Sequence, residues 1–371
     1  MKEDKNFFRY WLCNIPGLGN KRIERLIMTF ENAENIYHAT EKQLQETTIL
    51  KDKDIECISH SKTDTSIYKE YCELKKKNIR MITIEDMEYP KRLLHIYDRP
   101  YCLFIKGMLP QENRPSVAVV GARGCSEYGR QSAFYIGEAL AEAGVNVISG
   151  LARGIDGAAH RGALHKGGYT AGILACGVDI CYPREHISLY TQMEQLGGII
   201  SEYLPKTPPI SNHFPLRNRI ISGLSDVVVV VEAREKSGSL ITVDMALEQN
   251  KAVMAVPGRV CDELSRGCNN LIKMGAEVFR TPRDILDILQ YEVFLEKEKH
   301  DGMKQNQKNI LAKSEEMLYS NLDLTPKSIN ILIEETGQKL SEIMECLVSL
   351  SMKGYVKEVS CGYYVRTQKE I

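Results

Sequence analysis

The sequence predicts a doubly wound α/β domain, in which helices cover both faces of a mostly parallel β-sheet. One observation is the segment Asp226–Val231, an aspartate followed by five valines with no polar alternation. Such a run is typical of a strand covered on both faces, as the strands of parallel sheets are. The other observation is the regular alternation of strand-like and helix-like patterns through residues 79–290, which indicates successive βα units.

Seven strands are predicted in this region, with helical patterns between them. The strands are Val117–Gly121, Val145–Ser149, Thr170–Cys176, Gly198–Glu202, Asp226–Val231, Ala252–Val256 and Glu277–Arg280. The helices begin near Tyr128, Gly154, Ile187, Pro215, Ser239, Cys268 and Pro282. The segment Tyr89–Gly107 precedes the first of these strands and is expected to pack against the sheet.

Residues 1–78 are predicted to form a small helical domain. The motif Ile15–Arg22 (IPGLGNKR) joins two helical patterns and resembles the hairpin of a helix-hairpin-helix element, whose glycine amides approach a DNA phosphate. The alternative is a tight turn between two helices, which needs glycine for conformational reasons alone. Both interpretations stay open, and the many surrounding glutamates weigh against direct contact with DNA.

The C-terminal residues are predicted to form a second small domain. Residues 291–308 are charged and poor in apolar side chains, which predicts a linker or an exposed helix. Residues 309–371 contain three helical patterns and a β-hairpin, the components of a winged helix. The presumed recognition helix carries Glu342 and Glu345 and little positive charge, which favours a protein-contact or regulatory role over duplex binding.

The composition predicts a cytoplasmic protein of two or three domains. The 371 residues have a formal net charge of −1, so any affinity for nucleic acid has to come from local clusters of cations. No stretch approaches the ~20 apolar residues of a membrane span, and no signal sequence is recognisable. The eleven cysteines are scattered, without a CxxC pair, so no metal site is expected.

The segment around the valine strand carries the clearest binding signals. Ser237, Gly238 and Ser239 open a helix, where small residues leave amides exposed and the helix dipole favours an anion. Before the strand, Arg217 and Arg219 are two cations close to the aromatic Phe214. Anion sites, arginines and an aromatic ring fit a phosphate polymer with exposed bases, so single-stranded nucleic acid is the predicted ligand.

The turn after the first predicted strand also favours phosphate over a dinucleotide. Its glycines at 121, 124 and 129 do not have the GxGxxG spacing, and no acidic residue follows the second strand to bind a ribose hydroxyl. Arg123 lies in this turn, which predicts a phosphate contact. The turn therefore disfavours a nicotinamide dehydrogenase, and no cofactor is expected.

A pair of titratable residues, Asp156 and His160, lies one helical turn apart after the second strand. Acid–base chemistry is one interpretation. A structural hydrogen bond near the start of the helix is favoured, because no serine or cysteine in a nucleophile-elbow context completes a triad.

The chain resembles the DprA (DNA-processing protein A, also Smf) family. The resemblance rests on VAVVGARGCSEYG, SGLARGIDGAAHRGAL, a segment ending GVDICYP, SEYLP, FPLRNRIISGLSD, SGSLIT and AVPG, in this order, and spans about Tyr89 to Ala276. It implies an extended Rossmann-like fold without a dinucleotide, flanked by an N-terminal SAM-like, helix-hairpin-helix-like domain and a C-terminal winged helix. It also implies single-stranded DNA binding, dimerisation through the Rossmann-like domain around Met254 to Phe279, and loading of the RecA recombinase in natural transformation.

The resemblance also assigns binding residues. The family's glycine–small–arginine loop falls on Gly121, Ala122 and Arg123, its Phe-x-x-Arg-Asn-Arg motif on Phe214, Arg217, Asn218 and Arg219, and its Ser-Gly-Ser-Leu on Ser237 to Leu240. Two departures are Ala122, where serine or threonine is frequent, and Asp244, where the family usually has arginine.

Each of these residues has a physical role in the predicted site. Arg123, Arg217 and Arg219 neutralise phosphates, and the amides of Gly121 and of Ser237–Ser239 bind phosphate oxygens without reading sequence. Phe214 stacks on a base. The alternative for Arg217 and Arg219 is an ion pair with Glu232 or Asp226, and Lys236 is a peripheral phosphate contact.

Two other functions are weighed against a non-enzymatic DNA-binding protein. A related group of Rossmann-like hydrolases cleaves nucleoside monophosphates with a PGGxGTxxE motif, but the position of its catalytic glutamate falls on Met245, which cannot act as a base. The other alternative is a winged-helix transcription regulator, which the acidic recognition helix disfavours.

Overall fold

The computed structural model describes residues 4–290 and 313–367, so the predicted linker at 291–308 lies outside the described residues. The chain divides into two compact units. One contains Met1–Gly124 and Phe134–Glu292, and the other contains Cys125–Ala133 and Val293–Ile371. The predicted boundary between a helical domain and a sheet domain at residue 78 stays a prediction.

The N-terminal residues form six helices: α1 Lys5–Cys13, α2 Asn20–Phe30, α3 Ala33–His38, α4 Glu41–Glu46, α5 Asp52–Ser61 and α6 Thr65–Lys76. They enclose an apolar core around Trp11, whose indole N–H donates to the Ser61 hydroxyl at 2.8 Å. Between α1 and α2, Gly17 adopts a φ of +77°, and Arg22 donates to the Gly17 carbonyl and to Asp54. These are the contacts of a tight helix–helix turn.

A nine-stranded sheet forms the centre of the same unit. Its strands are β1 Arg80–Thr83, β2 Cys102–Gly107, β3 Ser116–Val120, β4 Asn146–Ser149, β5 Thr170–Ile173, β6 Gly198–Ser201, β7 Val227–Val230, β8 Ala252–Ala255 and β9 Glu277–Val278. They lie in the order β1-β2-β6-β5-β4-β3-β7-β8-β9. The pairs β1·β2 and β2·β6 are antiparallel and the others are parallel, which confirms the predicted mostly parallel fold.

Seven helices connect or follow these strands: α7 Glu127–Glu142, α8 Ile155–His165, α9 Ile187–Leu196, α10 His213–Gly223, α11 Gly238–Glu248, α12 Glu263–Lys273 and α13 Pro282–Ile288. Two 3-10 helices, Lys91–His95 and Arg184–His186, complete the domain. The valines of β7 are at most 1% exposed, as the prediction of a strand covered on both faces requires.

The close packing of α7 on α8 depends on two glycines. A Cβ on Gly137 would lie 2.3 Å from the carbonyl oxygen of Ala159, and one on Gly162 would lie 2.0 Å from that of Phe134. Any larger residue at either position would force the two helix backbones apart. Glycine at position 162 of the SGLARGIDGAAHRGAL motif is thus explained by packing.

The strand order reverses between β3 and β7. The chain proceeds outward from β3 through β4, β5 and β6 on one side, and from β7 through β8 and β9 on the other. The helices that follow β3 and β7 therefore diverge and leave a crevice at the carboxyl ends of these strands, where open α/β sheets bind their ligands.

The C-terminal described residues form α14 Lys313–Asn321, β10 Lys327–Ser328, α15 Ile329–Thr336, α16 Leu340–Met352, β11 Val356–Ser360 and β12 Tyr363–Arg366. The strands pair antiparallel in the order β10-β12-β11. The helices and sheet share a core that includes Leu332, Leu347 and Leu350. The assignment as a winged helix stays a prediction. Within residues 4–290 and 313–367, no helix combines the length and the apolar character that crossing a membrane requires.

Candidate nucleic-acid interface

A cavity of about 320 Å³ lies at the point where the strand order reverses. Eight of the ten residues predicted to bind DNA line it, and they come from three separate segments of the chain. They are Gly121, Arg123, Phe214, Arg217, Asn218, Ser237, Gly238 and Ser239. Arg219 and Lys236 are not among its lining residues.

The loop after β3 approaches the cavity by its backbone. A Cβ on Gly121 would lie 2.7 Å from a side-chain carbon of Ile155 and 2.9 Å from the Glu232 carbonyl oxygen, so glycine is required by packing. The next amide, of Ala122, donates to that same carbonyl at 2.8 Å, which fixes the loop to the end of β7. Ala122 is buried, whereas Arg123 is exposed to solvent.

The second side of the cavity is the start of α11. Ser237 caps the helix by accepting from the amide of Ser239 at 3.4 Å, and the two hydroxyls lie 2.8 Å apart. A Cβ on Gly238 would have no atom within 4 Å, so there is open space beside the backbone at this position. An eleven-residue helix places its positive end here, and the first turn has amides without partners inside the helix.

Phe214 supplies an aromatic surface beside these amides. Its ring is half-buried, and its centroid lies 4.9 Å from the guanidinium carbon of Arg123 and 6.0 Å from that of Arg217. The ring of Tyr182 adds a neighbour at 5.8 Å, tilted by 54°. Tyr182 was not predicted as a site residue. It lies in the GVDICYP motif, and its aromatic side chain could have identified it as a second stacking surface.

Arg217 is buried beneath the cavity and is bonded to the ends of two strands. It is 4% exposed and donates to the carbonyl oxygens of Gly150, at 2.9 Å, and of Ile173. A Cβ on Gly150 would lie 2.8 Å from both the Arg217 guanidinium and the Asp156 carboxylate, so these two charges lie over the same glycine. The predicted alternative partners of Arg217 were Glu232 and Asp226, and the structure instead places Asp156 beside it.

Burial sets the ionisation of this pair. It lowers the pKa of Arg217 to about 10, with Asp156 opposing the shift and Arg123 adding to it. Burial also raises the pKa of Asp156, against the effects of Arg217 and of the amides of Ala152 and Gly150, which donate to the carboxylate at 3.4 and 3.1 Å. Arg217 therefore keeps its positive charge at neutral pH and contributes a fixed field to the cavity.

Arg219 lies on the other side of α10. It is 7% exposed, forms an ion pair with Glu202 at 2.6 Å and donates to the carbonyl oxygen of Asp98 at 2.8 Å. Helix residues that are two positions apart in the sequence point in directions about 200° apart around the helix axis. Arg217 and Arg219 therefore cannot face the same cavity. The structure does not bring the expected pair together in the cavity, and the carboxylate that pairs with Arg219 is Glu202, in place of the predicted Glu232 or Asp226.

The remaining predicted positions lie outside the cavity. Lys236 is exposed one residue before the cap of α11, and Asp244 is exposed further along that helix. Asn218 lines the cavity and donates to the Gly238 carbonyl at 3.4 Å, which joins the start of α11 to α10. Its carboxamide oxygen accepts from Arg217 at 3.2 Å.

Asp156 and His160 serve separate structural purposes. His160 is fully buried and its Nδ1 lies 2.6 Å from the Thr170 hydroxyl. Because that hydroxyl donates to the Val147 carbonyl, the imidazole is the donor to it. Burial lowers the pKa of His160 to about 3, so the ring is neutral near pH 7 and forms a structural hydrogen bond. Across the described ranges, no group of three or more His, Cys, Asp or Glu side chains is arranged to hold a metal ion.

Comparison with known proteins identifies a family to which this chain is similar. The family model described as DNA recombination-mediator protein A matches residues 80–290. "Protein Smf" of Escherichia coli (strain K12) is 37% identical over 302 residues, which cover 80% of this chain and 80% of the relative. "DNA processing protein DprA" of Streptococcus pneumoniae is 44% identical over 204 residues, or 55% of this chain and 72% of the relative.

Two solved structures have a similar fold. The X-ray structure of DNA processing protein A from Streptococcus pneumoniae has a TM-score of 0.68 at 34% identity, and covers 79% of this chain and 99% of that one. DNA processing protein A from Helicobacter pylori has a TM-score of 0.52 at 30% identity, and covers 57% of this chain and 98% of that one. The latter structure is described as showing a single-stranded DNA binding mode.

Proposed function

The chain belongs to the DNA recombination-mediator protein A family, and from this premise we propose that it binds single-stranded DNA in the cavity at the reversal of the strand order. In this proposal the protein is not an enzyme. It protects incoming single strands and loads the RecA recombinase onto them during natural transformation and recombination.

The observation that supports this function best is the convergence of three kinds of contact in one cavity. The open backbone at Gly238, at the positive end of α11, suits phosphate oxygens. Arg123 supplies an accessible cation, and the Phe214 ring supplies a stacking surface. None of these contacts reads the edge of a base. Binding should therefore depend on the backbone and on stacking, and be largely indifferent to sequence.

The charges of the cavity agree with a polyanion as ligand. Arg123 has no ion-pair partner among residues 4–290, so it is available to a phosphate. The single carboxylate of the lining, Asp156, is buried and bonded to two backbone amides. A hydrolase would need a base that reaches its substrate, and Met245, at the position of the glutamate in the related hydrolases, cannot act as one.

A second part of the proposal is a homodimer formed through the sheet domain. The predicted surface, Met254–Phe279, includes the edge strand β9, and the neighbouring side chains of Val260 and Met274 are 88% and 79% exposed. If these side chains belong to one contiguous apolar patch, that patch is the surface a dimer would bury. Two cavities in a dimer would hold one strand together, and this raises avidity without new contacts.

The test is a fluorescence-anisotropy titration with labelled oligothymidylate and with a duplex of equal length, each over a range of salt concentrations. Single-strand preference is expected, with the logarithm of the binding constant falling by roughly 0.7 per neutralised phosphate against the logarithm of salt. Tight duplex binding without single-strand preference would contradict the proposal. For the loading step, the measurement is RecA filament formation on strands coated with single-strand binding protein, which this protein should accelerate.

A further inference from the structure

A second cavity, of about 290 Å³, lies at the opposite end of the strands. Its lining is formed by Lys91, Arg92, His95, Ile96, Gln249 and Lys251. Arg92 in turn forms an ion pair with Asp226 at 3.0 Å, the residue directly before β7. Because the DNA cavity lies beyond the carboxyl end of β7, the two cavities are separated by the length of this strand.

Two segments that are distant in sequence bring the basic residues together. The 3-10 helix Lys91–His95 supplies three of them. The turn after α11 supplies Gln249 and Lys251, with Asn250 between them at a φ of +56°, so the chain reverses there before entering β8. The cluster is thus assembled by tertiary packing and is not a run of charges along one exposed helix.

The cations of this cavity are incompletely neutralised. Arg92 is bound to Asp226 at 3.0 Å and lies 3.8 Å from Glu112, whereas Lys91 is exposed. Lys251 is half-buried and has no ion pair among residues 4–290 and 313–367. Its burial lowers the pKa of its ammonium, Arg92 adds to this effect, and Asp226 opposes it. A half-buried ammonium beside another cation is stabilised when an anion binds to it.

We propose that this second cavity binds a phosphate group, with Lys91, His95 and Lys251 as direct contacts and Arg92 held in place by Asp226. Lysine ammoniums are point charges that suit the oxygens of a tetrahedral phosphate. The phosphate belongs either to the DNA strand outside the first cavity or to a free phosphate or nucleotide. If the bound phosphate belongs to DNA, this inference rests on the proposed function, whereas binding of a free phosphate or nucleotide does not depend on it.

The separation of the cavities makes the two sources distinguishable. Val231 lies five residues after Asp226, which corresponds to about 17 Å at about 3.3 Å per residue. A single strand of DNA that reaches both cavities has to cover more than this distance, because it passes around the outside of the domain. A tetranucleotide in the first cavity should therefore be insensitive to the second, and a long strand should be sensitive to it.

The experiment compares the wild type with the double variant Lys91→Gln/Lys251→Gln and with the control Lys42→Gln/Lys53→Gln, in which two exposed lysines of the helical region lose their charges. Each protein is titrated with oligothymidylates of about four and about thirty nucleotides at several salt concentrations, and with inorganic phosphate by calorimetry. For the long oligonucleotide, the slope of the logarithm of the binding constant against the logarithm of salt should be smaller by roughly 1.4 in the double variant. This is the loss of two phosphate contacts at roughly 0.7 each. The short strand and the control should be unchanged.

The remaining outcomes are also decisive. Loss of inorganic phosphate binding in the double variant, with an unchanged slope for the long strand, would support the site and identify a free phosphate or nucleotide as its ligand. No change in either measurement would overturn the proposal. If the wild type bound neither strand, the proposed function would fail, and the phosphate titration would still decide this inference. If the double variant folds less stably, the single variant Lys251→Arg is the comparison. It keeps the charge and should bind inorganic phosphate as the wild type does.

Discussion

The guanidinium of Arg123 lies 4.9 Å from the centre of the Phe214 ring, although the two residues come from the loop after β3 and the start of α10. A cation that can bind a phosphate thus lies directly beside a ring that can stack on a base. A nucleotide also carries its phosphate and its base side by side, so this pair matches one nucleotide of a single strand. The following predictions start from this pair.

Phe214→Ala should weaken binding to oligothymidylate by about 1–3 kcal/mol, because it removes a stacking surface. The salt slope should stay nearly unchanged, since no charge is removed. Anisotropy titrations at two salt concentrations measure both quantities. Tyr135→Ala, at a 41% exposed aromatic on α7, is the matched control and should bind normally. Unfolding or aggregation of the Phe214 variant would show instead that this ring belongs to the core.

Arg123→Gln should lower the affinity for single strands and reduce the salt slope by roughly 0.7, because one phosphate contact is lost. The thermal midpoint should not change, since Arg123 is exposed. Arg25→Gln removes another exposed arginine, on α2, and should leave both affinity and slope as they are. An unchanged slope in the Arg123 variant would exclude this residue from the phosphate contacts.

Arg217→Met and Arg219→Met form a matched pair that separates structural from binding roles. Each removes one member of a buried set of charges, so each should lower the free energy of unfolding by about 3 kcal/mol or more in urea titrations. Among protein that remains folded, only the Arg217 variant should bind DNA more weakly, because Arg217 lines the cavity and Arg219 does not. Equal losses of affinity would contradict this division.

The sequence predicts the fold and most of the cavity because the relevant signals are local. The apolar β7, the small residues after β3 and the serine cap of α11 each specify their own conformation. The choice between Arg217 and Arg219 was not predictable, because it depends on which side of α10 faces Gly150 and which faces Glu202. Strands β1 and β2 were missed because they pair antiparallel with each other and with β6, outside the regular alternation of strands and helices from which the other strands were predicted.

The stability should fall with decreasing pH through the titration of His160. Burial lowers its pKa to about 3 in the folded protein, below the ~6.5 expected in the unfolded chain. Between these two pH values the unfolded state binds more protons than the folded state. The contribution of His160 to the free energy of unfolding is therefore complete above pH ~6.5, and it is lost as the pH falls, by up to about 1.4 kcal/mol per pH unit. Urea unfolding at a series of pH values measures the slope, and His160→Gln should reduce it. An identical slope in the variant would show that other groups account for it.

Finally, the protein should be a dimer at micromolar concentration, with two cavities that act on one strand. One cavity, with one exposed arginine and the start of one helix, covers only a few nucleotides. A second cavity on the same strand binds at a high effective concentration, so a strand long enough to reach both should bind on the order of a hundredfold more tightly than a short one. Sedimentation velocity should show the dimer, and Met274→Lys, which places a charge on the proposed surface, should yield a monomer that has lost the preference for long strands. Met28→Lys, at a 72% exposed methionine on α2, is the control and should remain dimeric. A wild-type monomer that binds short and long strands equally well would refute the two-cavity arrangement.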